Sequence, residues 1–336
     1  MVTMIELRNY EFVTVTGSDA LAFLQGQVTC DVEKLNRNKA LAGAICSLKG
    51  RVIADFLLVL DGEDCVLRTQ KGMAEIIKDT LSKYAIFSQV ELSIETRFSK
   101  VLGAMAREDE EFLTRIIGQL PKDSLDCHIN AEAIIISLDN VDRRFEVWMR
   151  DEIQLQDWAE NQEPNTLEDW NRKDILQGLI HINPQLSEEY TPQVLNYDLS
   201  GVIDFSKGCY TGQEIIARMH YRGSAKRRLS LLTSKNLIKE HSEVVQRYRE
   251  KETLSKVLAY SNSSNETENS ALLSILDITN EQSTFSLSHP KEEECALKSE
   301  PLCYPSQSID KWYRIDNVMV SPGRFERPTY RLGGDC

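Results

Sequence analysis

Short runs of alternating apolar residues, broken at close intervals by glycine and proline and interleaved with short helical patterns, constrain this chain most. Tyr10–Thr16 alternates large and small side chains and predicts a strand. Gly17-Ser18 breaks it, and Ser18 is placed to cap a short helix over 19–25 that ends at Gly26. Residues 41–47 and 51–60 predict two strands joined across Lys49-Gly50, with a turn at Asp61-Gly62. Residues 73–83 carry Ile76, Ile77 and Leu81 at helical spacing. Residues 90–94, 100–105, 134–136 and 145–149 predict further strands, and 110–120 a further helix. Short strands interleaved with short helices predict an α+β region rather than a doubly wound sheet.

The pattern then shifts. Residues 167–178 predict a helix with Trp170, Ile175 and Leu176 on its inner face. Residues 181–204 are irregular, with Pro184 and Pro192 as breakers. From Leu229 onward, 229–232, 254–260 and 271–278 predict strands separated by polar loops. The charged run 239–252 predicts a solvated helix or loop, and the Ser/Asn/Glu tract 261–270 an exposed loop. At 336 residues the chain is long enough for two or three domains. The expected division is an α+β region over 1–225, a small β-rich domain over 226–310 and an unstructured tail over 311–336.

A net charge of −13 argues against a general nucleic-acid binder, because phosphate contacts need a basic face. The one concentrated basic segment is Arg218, His220, Arg222, Lys226, Arg227 and Arg228, which suits a small anion or an acidic partner. The first residues lack the basic and then apolar regions of a signal peptide. The longest strongly apolar stretch, 52–60, contains Asp55 and is too short to span a bilayer. A cytoplasmic protein without a membrane partner is expected. No C-x-x-C pair occurs among the eight cysteines, so no stably bound metal is expected, and the thiols read as reduced.

Lys207-Gly208-Cys209-Tyr210-Thr211-Gly212-Gln213-Glu214 is the segment with most chemistry in it. It sets a cysteine two residues after a lysine and ahead of a helical pattern. A cation and a helix N-terminus both favour thiolate, and thiolate is the form that attacks electrophiles, exchanges with disulfides or ligates iron. An ordinary cysteine has a pKa of about 8.5, so such help matters at neutral pH. Cys209 is therefore the candidate catalytic residue, with Lys207 as its helper.

The same eight residues resemble the signature of the YgfZ family of folate-binding proteins tied to iron–sulfur cluster assembly and tRNA modification. Other segments agree: Phe23-Leu24-Gln25-Gly26-Gln27-Val28-Thr29-Cys30-Asp31-Val32, Lys83-Tyr84-Ala85-Ile86-Phe87-Ser88-Gln89-Val90, Thr191-Pro192-Gln193 with Asn196, Gly201-Val202-Ile203-Asp204-Phe205, Ala217-Arg218-Met219-His220-Tyr221-Arg222-Gly223 and Glu300-Pro301-Leu302-Cys303-Tyr304. The resemblance covers about residues 5 to 309.

It implies a fold shared with the glycine-cleavage T-protein: a folate-binding α+β body with a central hole, and a C-terminal β-barrel. The implied ligand is tetrahydrofolate or a close derivative. Trp170 matches an aromatic position of the family's folate site, and Tyr10 stands where the best-known member has tryptophan. The implied role is support of [4Fe–4S] cluster assembly or repair in client enzymes, including the one that methylthiolates tRNA. The basic segment would then suit the folate glutamate tail, and the link to RNA would run through the client. Two other readings stay open: a folate-dependent aminomethyltransferase and a non-catalytic folate-binding adaptor. The transferase reading is weakened because Arg68-Thr69-Gln70-Lys71-Gly72 lacks the T-protein's pattern and Cys209 replaces a usually acidic residue.

Overall fold

The computed structural model describes residues 4–117, 119–139, 143–150, 166–223, 225–263, 269–289, 294–304 and 313–314. In chain order its first part contains β1 (Ile5–Glu6), β2 (Tyr10–Thr16), α1 (Ala20–Gln25), β3 (Leu41–Cys46), β4 (Val52–Asp61), β5 (Asp64–Gln70), α2 (Ala74–Ser82) and β6 (Glu91–Glu95). Then come β7 (Lys100–Ala104), α3 (Arg107–Ile117), β8 (Cys127–Ile129), β9 (Ala133–Ser137), β10 (Phe145–Met149), α4 (Leu167–Leu176) and α5 (Gln213–Arg222).

These strands make two antiparallel sheets, ordered β3-β4-β5-β2-β6 and β1-β7-β10-β9-β8. Each strand sends alternate side chains to opposite faces. Val13 and Val15 of β2 therefore join Leu67 of β5 against Phe23 and Leu24 of α1 and Ile77 and Leu81 of α2. Phe12, on the other face, meets Trp148 of β10 and Phe98 at ring-centroid distances of 5.0 and 4.8 Å. With Leu57, Val59, Val66, Val101, Ile134 and Ile136, these rings form a core shared by both sheets. The far face of the second sheet packs Leu102, Ile135 and Val147 against Leu113 of α3. The body is thus two sheets face to face with helices outside.

Beyond α5 the elements among the described residues are all strands: β11 (Arg227–Ser234), β12 (Glu243–Tyr248), β13 (Lys251–Ser261), β14 (Ser270–Asp277), β15 (Thr284–Ser288) and β16 (Cys295–Glu300). They close into a barrel in the order β11-β14-β13-β12-β15-β16. Leu232, Val244, Leu272, Leu276, Leu287 and Leu297 fill it. The alternate residues Leu229, Leu231, Leu273 and Ile275 pack in the cluster that also holds α1 and α2. A short ladder pairs Cys303–Tyr304 with Tyr313–Arg314. The rest of the segment expected to be a tail, 315–336 with 311–312, lies outside the described residues, as does 264–268 of the polar tract.

Three local expectations are corrected. The charged run 239–252 is neither helix nor solvated loop: it holds β12, with Val244, Val245 and Gln246 buried. Its charges belong to the outer surface, where Arg247 pairs with Glu252 and Glu294. Ser18 does not cap α1. Asp19 holds the N-cap position without a side-chain cap, and Ser18 Oγ donates to Gln89 Oε1 at 2.9 Å. On α4 the inner face carries Trp170, Asp174 and Ile175, while Leu176 is 42% exposed. A buried aspartate in place of an exposed leucine is the first sign that the layer beneath α4 is polar.

Candidate functional site between the two sheets

Ionisable side chains are almost never fully buried without partners, yet several lie in the inter-sheet layer. Arg68 of β5 and Glu146 of β10 are 3% and 0% exposed and bridge the two sheets. Arg68 Nε and Nη2 each donate to a Glu146 carboxylate oxygen at 2.8 Å, a bidentate pair. Trp148 Nε1 adds a third donor to Glu146 at 2.6 Å. The Arg68 guanidinium also lies 4.0 Å from the centroid of the Tyr10 ring. Burial, against the pull of Arg68, raises the Tyr10 phenol well above its ordinary pKa.

A second chain of charges runs beside this pair. Asp55 of β4 accepts from Ile182 N–H at 2.6 Å and faces His181 Nδ1 at 3.1 Å. His181 Nε2 stands 3.7 Å from Asp174 Oδ2 on α4. Asp174 Oδ1 accepts from Arg144 Nη1 at 2.8 Å, and Arg144, wholly buried, also bonds Asp139 and Gln177. Burial disfavours the imidazolium, but Asp174 and Asp55 outweigh it and lift His181 to about 9. Burial likewise opposes the Asp174 carboxylate, yet Arg144 and His181 hold it below its ordinary range. The His181 ring meets the Tyr10 ring edge-on at 6.2 Å, which joins the two networks. A cleft of 580 Å³ opens at the Tyr10 end of this layer, lined by Tyr10, Phe12, Phe98, Glu11, Glu95 and Lys100 among others; Trp170, Asp55, Asp174 and His181 lie behind Tyr10 and do not line it.

Trp170 and Tyr10, named as ligand-binding from sequence, thus both lie in this layer. Trp170 is 1% exposed. Its six-membered ring rests on Gly103, where an added Cβ would come within 2.6 Å, and Arg144 sits 5.0 Å from the ring. Its indole N–H is buried and has no hydrogen-bond partner among the described residues. The sequence reading missed Asp55, Arg68, Arg144, Glu146, Asp174 and His181. The signal that reveals them is an ionisable residue inside an apolar strand, as in Asp55 within 52–60 or Glu146 within 145–149.

Cys209 and Lys207 lie in a different loop. Lys207 turns inward: its Nζ donates to the carbonyls of Gln25 and Val28 at 2.8 and 2.6 Å, at the C-terminal end of α1. Burial pushes its pKa down to about 8, against the pull of Cys30 and Asp31. Tyr210 packs beneath it, with the ammonium 5.0 Å from the ring centroid. Thr211 bonds Gln27 Oε1, and Gly212 (φ 82°) lies so close to the Ser47 carbonyl that a Cβ would come within 2.5 Å. Gly212 is also the N-cap of α5. Cys209 is exposed and stands three residues ahead of that cap. Of the two sources expected to help its thiol, the Lys207 ammonium is engaged on the carbonyls at the end of α1, and α5 starts three residues beyond the cysteine.

Comparison with known proteins places this architecture. A protein called tRNA-modifying protein YgfZ from Escherichia coli is 31% identical over 235 residues, which is 69% of this chain and 72% of that one. The chain belongs to the YgfZ family. The YgfZ protein of Hamiltonella defensa is 30% identical over 237 residues, covering 69% and 70% of the two chains. No protein-family model matches the chain. Among solved structures, the glycine cleavage system aminomethyltransferase T from Bartonella henselae superposes with a TM-score of 0.71 at 13% identity, over 88% of this chain and 84% of that one. The chain accordingly has the T-protein fold, an α+β body with a closed C-terminal barrel. Among its described residues no helix is long and apolar enough to cross a membrane.

Proposed function

We propose that the chain binds tetrahydrofolate or a close derivative in the polar layer between the sheets. In that state it supports assembly or repair of [4Fe–4S] clusters in client enzymes, including the enzyme that methylthiolates tRNA, with Cys209 as the reactive thiol. The observation that carries the ligand assignment is the buried indole N–H of Trp170, without a partner among the described residues, in a layer that also holds Tyr10, Asp55, Asp174 and His181. This donor and acceptor set fits an amino-oxo heterocycle: carboxylates accept from its N–H groups, and the indole N–H donates to its oxygen. Tyr10 offers a ring at the cleft, while Arg68 fixes that ring from one side. The bound folate would supply a one-carbon carrier. Family membership supports the link to tRNA modification.

Cys209 supports a thiol role by its exposure alone, since no base contacts it among the described residues. A reduced folate titrated into the protein is expected to quench tryptophan fluorescence, and Trp170→Phe to remove most of that change. Absence of quenching at ligand levels well above micromolar would sink the folate assignment. Cys209→Ala is expected to fold normally and to fail to restore tRNA methylthiolation in cells lacking the protein. Full restoration would leave a folate-binding adaptor without thiol chemistry.

A further inference from the structure

Residues 215–228 contain five cations, Arg218, Arg222, Lys226, Arg227 and Arg228, and no carboxylate, in a chain with 52 acidic residues. One of the five is neutralised: Arg228 forms a bidentate pair with Asp198 at 2.8 and 2.9 Å. The other four are exposed. Arg218, Arg222 and Lys226 have no side-chain hydrogen bond or ion pair among the described residues, and Arg227 bonds only neutral oxygens, Ser255 Oγ and the Ile275 carbonyl. Two acids adjoin this group: Glu214, one helical turn before Arg218 on α5, and Asp277. The Asp277 carboxylate is held below its ordinary range first by Thr279 and less by Lys226 and Arg227. Arg218 and Arg222 are four apart on α5, so two like charges share one helix face, an arrangement that works against an isolated helix.

Rings lie among these charges. Phe205 stacks on His220 with centroids 3.7 Å apart and planes 17° apart. Tyr221 meets both edge-on, at 6.4 and 4.8 Å, and is itself 69% exposed. Unneutralised guanidinium groups beside an open aromatic face are what a single-stranded polynucleotide uses, one for its phosphates and the other for an unstacked base. An acidic peptide would use the cations and leave the Tyr221 ring idle. The overall charge of −13 does not forbid contact here. At physiological ionic strength charges more than about 8 Å away are largely screened, and the four exposed cations outnumber the acids beside them, Glu214 and Asp277.

We propose that the C-terminal half of α5, with Lys226 and Arg227 at the start of β11, is a binding surface for single-stranded RNA. Tyr221 stacks on a base, and Arg218, Arg222 and Lys226 contact phosphates. The surface lies outside the inter-sheet layer, so the proposal stands or falls apart from the folate reading.

The test is fluorescence anisotropy with a short labelled single-stranded RNA, the same RNA as a duplex, and a polyglutamate peptide. The single strand is expected to bind best, with log K falling against log salt at a slope of about −2 for three phosphate contacts. Arg218→Gln/Arg222→Gln should weaken binding about tenfold, as expected for the loss of a pair of charge-assisted contacts. Tyr221→Ala should weaken it at least several-fold, and Tyr221→Phe should not, because stacking needs the ring and not the hydroxyl. Unchanged melting temperatures and far-UV circular dichroism show that the variants are folded. No binding of the single strand at low salt overturns the proposal. So does tighter binding of the duplex or the peptide, or affinity indifferent to all three variants.

Discussion

The inter-sheet layer and the Lys207–Glu214 loop hold the two sets of reactive groups in this protein, and they are built in opposite ways. In the layer every charge answers another: Arg68 to Glu146, Asp55 and Asp174 to His181, and Arg144 to Asp174 and Asp139. In the loop the one reactive group, the Cys209 thiol, is exposed, and the cation beside it in sequence faces away. Burial explains the difference. A charge without water needs a partner of fixed geometry, whereas an exposed thiol needs none. The layer is therefore organised before any ligand arrives, and the loop leaves its thiol open to whatever approaches.

The contrast can be broken most forcefully at the pair that ties the sheets together. Glu146→Leu leaves the Arg68 guanidinium buried without its counter-charge and is expected to cost about 3–5 kcal/mol in a urea denaturation. Arg68→Met with Glu146→Leu should recover most of that loss. If the double variant is as unstable as the single one, shape rather than charge holds the layer.

A somewhat smaller effect is expected at His181. Its pKa is raised to about 9 in the folded protein against 6.5 for an ordinary histidine. The stabilisation is then fully present below about pH 6.5 and is lost as pH rises through about 9, up to about 3 kcal/mol in all. Denaturation midpoints should fall across that window, and His181→Asn should flatten the fall. The same slope in the variant would assign the pH dependence to other groups.

The smallest effect belongs to the loop. Cys209→Ser should change stability by no more than about 0.5 kcal/mol, as for an exposed residue with no packing duty. A loss several times larger would make the thiol a packing group and erase the contrast.

How far each region is legible in the sequence follows from the range of its interactions. Strand and helix alternation is local, so the α+β body and the strand-rich C-terminal domain can be read from periodicity, supported by the YgfZ resemblance. β12 was hidden because Lys239, Glu240, Glu243, Arg247, Arg249 and Glu250 give 239–252 a surface composition, although the barrel buries Val244 and Val245. Asp55 is visible as an oddity in an apolar run, but its partner His181 is 126 residues away and no periodicity connects them. The pairing of Lys207 with Cys209 rests on nearness along the chain, whereas the partners of the Lys207 ammonium, the Gln25 and Val28 carbonyls, are about 180 residues away and equally invisible to periodicity.

The closed barrel has a consequence of its own for assembly. Backbone N–H and C=O groups at the rim of an open sheet invite another chain to add a strand, and β11 pairing with β16 removes that invitation from the barrel wall. A partner that recruits this domain has to recognise side chains and connecting loops. Specificity there is accordingly open to change one surface residue at a time, without disturbing the ladder that holds the barrel shut.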